Sequence, residues 1–436
     1  MSTRLKRVAL HTLGCKLNFA ETDTLARRFE EAGYETAPFT EAADVYVINS
    51  CTVTEHADTE CRQLVRRAKK INPECKVVVT GCYAELKPDH IRQITGVDWV
   101  IGNHNKFNLV SQVEQRSINE ELGFPENSSE ANFHAAYSYA SRTRSFLKVQ
   151  DGCDYQCTFC TIPLARGLSR SSNIKDVLTQ VLELSKKGIK EIVLTGINLG
   201  DFGYGPQRRP GQRKTERFID LLKALDETKT IERFRISSVE PNLLSASIIN
   251  FIAGSKRFAK HVHMPLQSGS DEILNLMKRR YKAELYQDRV LQIKSLIPHA
   301  AIGCDVIVGF PGERNPQFEA TYKLLSDLDI TYLHVFSYSE RVNTPAIHLN
   351  PKIQPEERRR RSAVLRKLSD EKLQAFSARF DRTTGSVLWE QPQSNRIRGY
   401  TDNYIRVESS SHKHSAGSIE QVMLKWDSVK NQMLLI

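Results

Sequence analysis

The sequence predicts an α/β protein in three parts: an open parallel α/β sheet over residues 1–125, a central partial (β/α)6 barrel over 142–372 and a small all-β barrel over 373–436. Three observations predict it. Strand-like and helix-like patterns alternate through the first part. Six further strand-like runs follow, each separated from the next by a helical pattern. The C-terminal stretch holds only short apolar runs broken by polar turns. At 436 residues the chain is also long for one core, which favours several domains.

In the first part, RVALHTLG leads into a helical stretch from Asn18 to Ala32, ended by Gly33. DVYVINS leads into a second helix through Glu60–Lys70, closed by Asn72-Pro73; KVVVTG and VDWVIGN complete the buried-looking strands. Residues 126–141 (ENSSEANFHAAYSYAS) are polar and aperiodic and read as a linker. The barrel strands are FLKVQ, EIVLTG, FRISSV, HVHMPL, IGCDVIVGF and TYLHVFSYS. Helical patterns lie between them, as in Asn173–Lys187 with Val177, Val181 and Leu184 on one face. A charged helix, Pro355–Arg379, leads from the central part into the last. SVLWEQ, RIRGYTDNYIRVES, SIEQVMLKW and QMLLI then read as strands of a barrel the size of oligonucleotide-binding ones.

Composition narrows the classes. The chain is 40% hydrophobic and 26% charged, ordinary for a globular protein. It contains no apolar run near the ~20 residues that span a bilayer, and its start shows no signal-peptide core, so a cytoplasmic location without membrane contact is expected. The net charge of +11 favours a polyanionic partner, and residues 341–436 hold 17 Lys/Arg against 10 Asp/Glu. Nine cysteines, an odd number, point to metal or redox chemistry rather than a disulfide framework.

CDYQCTFC places Cys153, Cys157 and Cys160 on one loop, directly after the first barrel strand. That is the C-terminal mouth, where barrel enzymes keep their chemistry. Three thiolates can hold an iron–sulfur cubane with one iron left open for a further ligand. A structural zinc site needs a fourth Cys or His, and neither Asp151 nor the distant histidines offer a regular one. Cys15, Cys51 and Cys82 each follow a strand (RVALHTLG, DVYVINS, KVVVTG), so they stand at one sheet edge, where open α/β sheets bind ligands. They converge there, or they are buried small hydrophobes; separations of 36 and 31 residues leave both readings open. Cys61, Cys75 and Cys304 read as packing residues.

The Cys-x3-Cys-x-aromatic-Cys spacing, with Phe159 as the aromatic, resembles the radical S-adenosylmethionine (SAM) superfamily. That resemblance implies SAM chelated to the open iron by its amino and carboxylate groups, and cleavage by one electron to methionine and a 5′-deoxyadenosyl radical. Together with GCKLN (Gly14–Asn18), NSC (Asn49–Cys51) and GC (Gly81–Cys82), it makes the chain resemble the methylthiotransferase family of radical SAM enzymes over almost its whole length. The family implies a second 4Fe–4S cluster on Cys15, Cys51 and Cys82, a radical SAM barrel and a C-terminal TRAM barrel. TLGCKLNFAET, CTIPLARGLSRS, LTGINLGDFG, HMPLQSGSDEILNLMKRRY and GYTDNYIRV resemble most the branch that modifies N6-threonylcarbamoyladenosine at position 37 of tRNA. The sister branches act on N6-isopentenyladenosine of tRNA and on an aspartate of ribosomal protein S12. One departure is Arg314-Asn315-Pro316 after VGFPGE, where the family tends to acidic residues.

The resemblance also implies roles for strand-end residues: Gly196 and Asn198 at the SAM amino group, Ser238 and Glu240 at the ribose, Gln267 beside them, and Val308 and Gly309 against the adenine. Ordinary turn formation is the plain alternative for the glycines. The partners implied are tRNA through its anticodon stem-loop, an electron donor such as flavodoxin or ferredoxin, and a sulfur source. For RNA, Arg358–Arg361 offers a basic run flanked by Glu356 and Glu357, equally readable as a solvated helix face. Tyr400 and Tyr404 interleave with Arg396, Arg398 and Arg406, a pattern suited to base stacking and phosphate contact, with core packing of one of the two tyrosines the equal alternative. A non-enzymatic alternative is an RNA-binding iron–sulfur scaffold or redox sensor.

Overall fold

The structure is a computed structural model that describes residues 5–51, 55–118, 132–139, 142–208, 211–393, 396–410 and 413–435. Its first sheet contains β1 (Arg7–Thr12), β2 (Glu35–Ala37), β3 (Val45–Ser50), β4 (Lys76–Gly81) and β5 (Trp99–Ile101), all parallel, in the order β2-β1-β3-β4-β5. Every residue of β3 is buried, because α1 (Lys16–Glu31) and α2 (Glu55–Ile71) flank the sheet within separate apolar clusters. The register pairs Thr12 with Asn49 and Ser50 with Gly81, so three strands end along one edge. The sequence did not announce β2: its three residues, Glu-Thr-Ala, are polar and sit at the sheet margin.

The six expected barrel strands are present as β7 (Ser145–Lys148), β10 (Glu191–Thr195), β11 (Arg233–Ile236), β12 (His261–His263), β13 (Ala301–Val308) and β14 (Tyr332–Ser337). They form two parallel arcs, joined where Phe234 bridges Phe258, and the barrel stays open. A short strand β6 (Ala136–Tyr137) runs antiparallel to β7, and β8 (Gln150–Asp151) pairs with β9 (Arg170–Ser171). β6 falls inside the stretch read as a linker. Residues 126–131 and 140–141 lie outside the described ones, but 132–139 are tied down: Thr24 and Arg27 of α1 bond the Tyr137 carbonyl. Asn173 caps the first barrel helix by accepting the Asp176 N–H at 2.8 Å.

The helix Pro355–Ala378 links the barrel to the C-terminal module. Leu365 and Leu368 pack in the barrel core, while Phe376 joins the next one. That module is a closed five-stranded barrel, β15 (Thr384–Trp389), β16 (Ile397–Thr401), β17 (Arg406–Ser409), β18 (Ile419–Asp427) and β19 (Gln432–Leu435), in the order β15-β16-β17-β19-β18. RIRGYTDNYIRVES, read as one strand, is the hairpin of β16 and β17. The closed barrel agrees with the TRAM barrel expected there. Two buried arginines clamp it to the central barrel. Arg233 donates to the Ser386 carbonyl at 2.8 Å and Arg235 to those of Asp402 and Thr401 at 3.0 and 3.1 Å, while both hold Glu191.

Candidate active site

The loop carrying Cys153, Cys157 and Cys160 leaves β8 through Gly152, at φ +68°. A Cβ there would stand 2.1 Å from the Leu168 carbonyl oxygen, so the turn admits only glycine. The loop is anchored by Cys153 N–H to Gly167 O at 3.1 Å, Thr158 N–H to Met277 O at 3.2 Å and the Thr158 hydroxyl to Leu276 O at 2.8 Å. Phe159 meets Phe310 edge-on, with centroids 6.4 Å apart. Burial pushes the Cys153 and Cys160 thiols up to about 12, and raises Cys157 against the pull of Arg279. Thiols this reluctant to ionise alone become ligands only when a cation takes the place of the proton.

The second trio is assembled by backbone contacts at the edge of the first sheet. Cys15 caps α1, Cys51 directly follows β3, and Cys82 begins a short helix after β4. Gly14, at φ +98°, lies so close that a Cβ would meet the Cys51 Cβ and Sγ at 2.6 Å. Asn18 Nδ2 donates to Leu13 O at 2.8 Å and Ser50 O at 3.2 Å, tying together the segments that carry Cys15 and Cys51. The Asn49 amide donates back to Asn18 O at 3.1 Å. The asparagines of GCKLN and NSC are thus the struts of this edge.

Five of the six cysteines line one cavity of about 980 Å3, Cys15 and Cys51 on one side and Cys153, Cys157 and Cys160 on the other. Cys82 does not line it. It is buried behind the wall, where burial raises its thiol, Arg166 and Lys106 oppose the rise, and Cys15 is among its electrostatic neighbours. Phe159, Gly196, Asn198, Ser238, Glu240 and Gln267 also line the cavity. Val308 and Gly309 do not. The Val308 side chain alternates into the hydrophobic core, and Gly309 packs on Arg358, whose Cγ a Cβ would meet at 2.4 Å. From this part of the barrel, Asp305, Tyr332, His334 and Phe336 line the cavity, together with Gln267.

The donor set fits the implied groups. Buried Asn198 has neither Oδ1 nor Nδ2 hydrogen-bonded, while Gln150 Oε1 accepts its N–H at 2.8 Å and holds the loop still. An orphaned amide on a cavity wall suits an amino-acid head group such as that of SAM. Glu240 is bound to Arg279, which also donates to Cys157 Sγ at 3.1 Å.

Several wall residues were not singled out from the sequence, Lys16, Arg142, Arg144, Arg235 and Asp305 among them. A signal existed for one group. His261 and His263 alternate on β12, as do Tyr332, His334 and Phe336 on β14, which is the period of an inward-facing polar row. Burial alone would raise the Asp305 carboxyl, but His263 at 2.9 Å and His334 at 3.1 Å hold it well below the usual range. The side chain of Lys16 is open to the cavity yet enclosed by its walls; burial, with Arg144 and Arg235, lowers its ammonium to about 8.

The expected RNA residues divide. Tyr404 turns inward and stacks on His261 and Tyr400, with centroids 4.6 and 5.0 Å apart. Arg396 and Arg398 are both paired with Glu408. In the basic run, Arg358 and Arg361 are buried on Glu340 and Glu313, and only Arg359 and Arg360 reach solvent, each paired with a glutamate one turn away.

Residues 7–102 match the family model described as "Uncharacterized protein family UPF0004", and residues 147–325 match "Radical SAM superfamily". Among solved structures, the radical SAM methyltransferase TsrM from Kitasatospora setae superposes with a TM-score of 0.59 at 14% identity, over 79% of this chain and 77% of that one; this likeness concerns the fold alone. Fold and site together define a protein of the radical SAM class. The threonylcarbamoyladenosine tRNA methylthiotransferase MtaB of Bacillus subtilis (strain 168) is 38% identical over 96% of this chain and 93% of the relative. The protein of the same name from Aquifex aeolicus (strain VF5) is 37% identical over 96% and 100%. The chain belongs to the threonylcarbamoyladenosine tRNA methylthiotransferase family.

Proposed function

We propose that this enzyme converts N6-threonylcarbamoyladenosine at position 37 of tRNA to its 2-methylthio derivative, with two 4Fe–4S clusters and SAM as cofactors. The observation that supports the reading best is the single cavity between the two cysteine trios. Sulfur held at one edge then stands before the same substrate as the centre at the other. The aromatic C2–H of adenine is not acidic enough for a side-chain base, so the bound cofactors supply the one-electron chemistry and the sulfur.

In this reading Cys153, Cys157 and Cys160 hold one cluster, and Cys15, Cys51 and Cys82 hold the other. Arg279 is fixed by Glu240 and supports Cys157 by its hydrogen bond. Asn198 and Gly196 receive the amino-acid end of SAM, with Ser238, Glu240 and Gln267 along its course. Tyr404 closes the cavity from the terminal barrel, so RNA bound by that barrel lies over the opening. An electron donor of the flavodoxin or ferredoxin class and a sulfur source complete the system. Among the described residues no helix is long and apolar enough to cross a membrane, which suits a cytoplasmic site of action.

The test is mass spectrometry of tRNA nucleosides from a deletion strain. Loss of 2-methylthio-N6-threonylcarbamoyladenosine with accumulation of its precursor is expected. Unchanged levels would overturn the assignment.

A further inference from the structure

Five cations line the cavity, and three have carboxylate partners. Arg279 holds Glu240, Arg235 holds Glu191 at 2.9 Å and Arg144 holds Glu390 at 3.0 Å. Lys16 and Arg142 have no carboxylate within 4.0 Å among the described residues. The Arg142 guanidinium lies over the Phe19 ring at 4.0 Å and faces Phe146 at 5.5 Å. That stacking leaves its N–H edge free to grip a planar anion. Lys16 and Phe19 stand one turn apart on α1, so the ring that carries Arg142 is the helical neighbour of Lys16.

Neither Asp305 nor Glu240, both lining the cavity, forms an ion pair with Lys16 or Arg142 among the described residues. Asp305 is occupied by His263 and His334, and Glu240 by Arg279. A cavity of this size, with room for a nucleobase, therefore presents two cations with no carboxylate partner among the described residues. The threonylcarbamoyl substituent on N6 ends in a carboxylate, whereas an isopentenyl substituent has no charge to offer. We infer that Lys16, together with Arg142, binds the carboxylate of the threonylcarbamoyl group and so sets the substrate preference of the enzyme. This rests on the function proposed above and names the group of the chain that reads its substrate.

The experiment uses the protein reconstituted with both clusters and a short anticodon stem-loop in three forms: the threonylcarbamoyl acid, its threoninamide analogue, and unmodified adenosine. Binding is followed by fluorescence anisotropy. A charge-assisted contact predicts that wild type prefers the acid over the amide by roughly 10–100-fold in Kd. Lys16→Met should abolish most of that preference and leave affinity for unmodified RNA unchanged, and Lys16→Arg should restore part of it. Since Lys16 adjoins Cys15, iron content is measured on each variant, and Arg142→Gln, which adjoins no cysteine, provides a second reading of the same preference.

Equal binding of acid and amide by wild type overturns the inference without touching the proposed function, and it is the result expected if these cations meet an RNA phosphate instead. Retention of the full acid preference in both Lys16→Met and Arg142→Gln overturns it too. Failure of wild type to methylthiolate the acid stem-loop would instead overturn the function on which the inference rests.

Discussion

The Arg166 guanidinium reaches the Glu21 carboxylate through both terminal nitrogens, at 3.0 and 3.1 Å, with the two side chains 0% and 2% exposed. Glu21 lies on α1 of the first sheet and Arg166 on the segment that follows the Cys153–Cys160 loop, so this pair helps fasten the two halves of the cavity. Lys106, Lys148, Asp151 and Arg170 complete a buried network around it. Burial would raise the Glu21 carboxyl, but Arg166, Lys106 and Lys148 hold it well below the usual range.

Removing one partner of such a pair leaves a buried uncompensated charge. Arg166→Met is expected to cost about 3–5 kcal/mol of stability, measured by urea unfolding. Arg166→Lys should recover only part, because an ammonium cannot make the bidentate contact. A loss below about 1 kcal/mol, the range of an exposed pair, would show that the interface is held by packing alone.

Iron analysis separates the two trios. Wild type should hold about eight irons, from two cubanes. Cys153/Cys157/Cys160→Ala should hold about four, and so should Cys15/Cys51/Cys82→Ala. Zinc in either trio, or a single cluster lost in both variants, would contradict the arrangement.

Gly14→Ala probes the close approach of the first trio. The added Cβ meets Cys51 Sγ at 2.6 Å in a left-handed backbone. The first-sheet cluster should fail to assemble while the barrel cluster persists, leaving about four irons and SAM binding intact.

Asn198→Ala should weaken SAM binding to the reconstituted protein by about tenfold, the worth of a hydrogen bond or two, as read by equilibrium dialysis. Its amide has no protein partner to strand, so the unfolding midpoint should stay within error of wild type.

Stability should fall on mild acidification. His134 stacks on Phe107 at 4.6 Å, and burial, then Lys148 and Arg28, pushes its imidazole down to about 4. The folded state therefore prefers the neutral ring. Its contribution is complete above the ordinary histidine value of about 6.5 and is lost as pH falls from there toward 4. His11, His104 and His261 are shifted in the same direction. The urea midpoint should decline across that window, less steeply in His134→Gln; an identical slope would remove His134 from the account.

The legible parts were those with local signatures. All six barrel strands and the main helices carried apolar periods that their environment preserved, whereas β2 and β6, at three and two residues, are too short to show a period. Val308 and Gly309 were placed by nearness to a strand end. A strand turns alternate residues to opposite faces, and that alternation sent Val308 into the core. The sequence left open whether Tyr400 and Tyr404 stack on bases or whether one of them packs in a core, because nothing nearby in the chain shows that Arg233 and Arg235 dock their barrel inward.

The chain's order of residues alone determined the two cysteine trios, the three-part architecture and the class of chemistry, since thiolate spacing and strand periodicity act over a few residues. Tertiary structure alone decided that Cys15 and Cys51 open onto the same cavity as Cys153, Cys157 and Cys160, that Cys82 sits behind its wall, and which of its cations lack a carboxylate partner among the described residues. Those outcomes depend on buried ion pairs such as Arg166 with Glu21, between residues 145 positions apart, and long-range pairing of this kind leaves no periodic mark on a sequence.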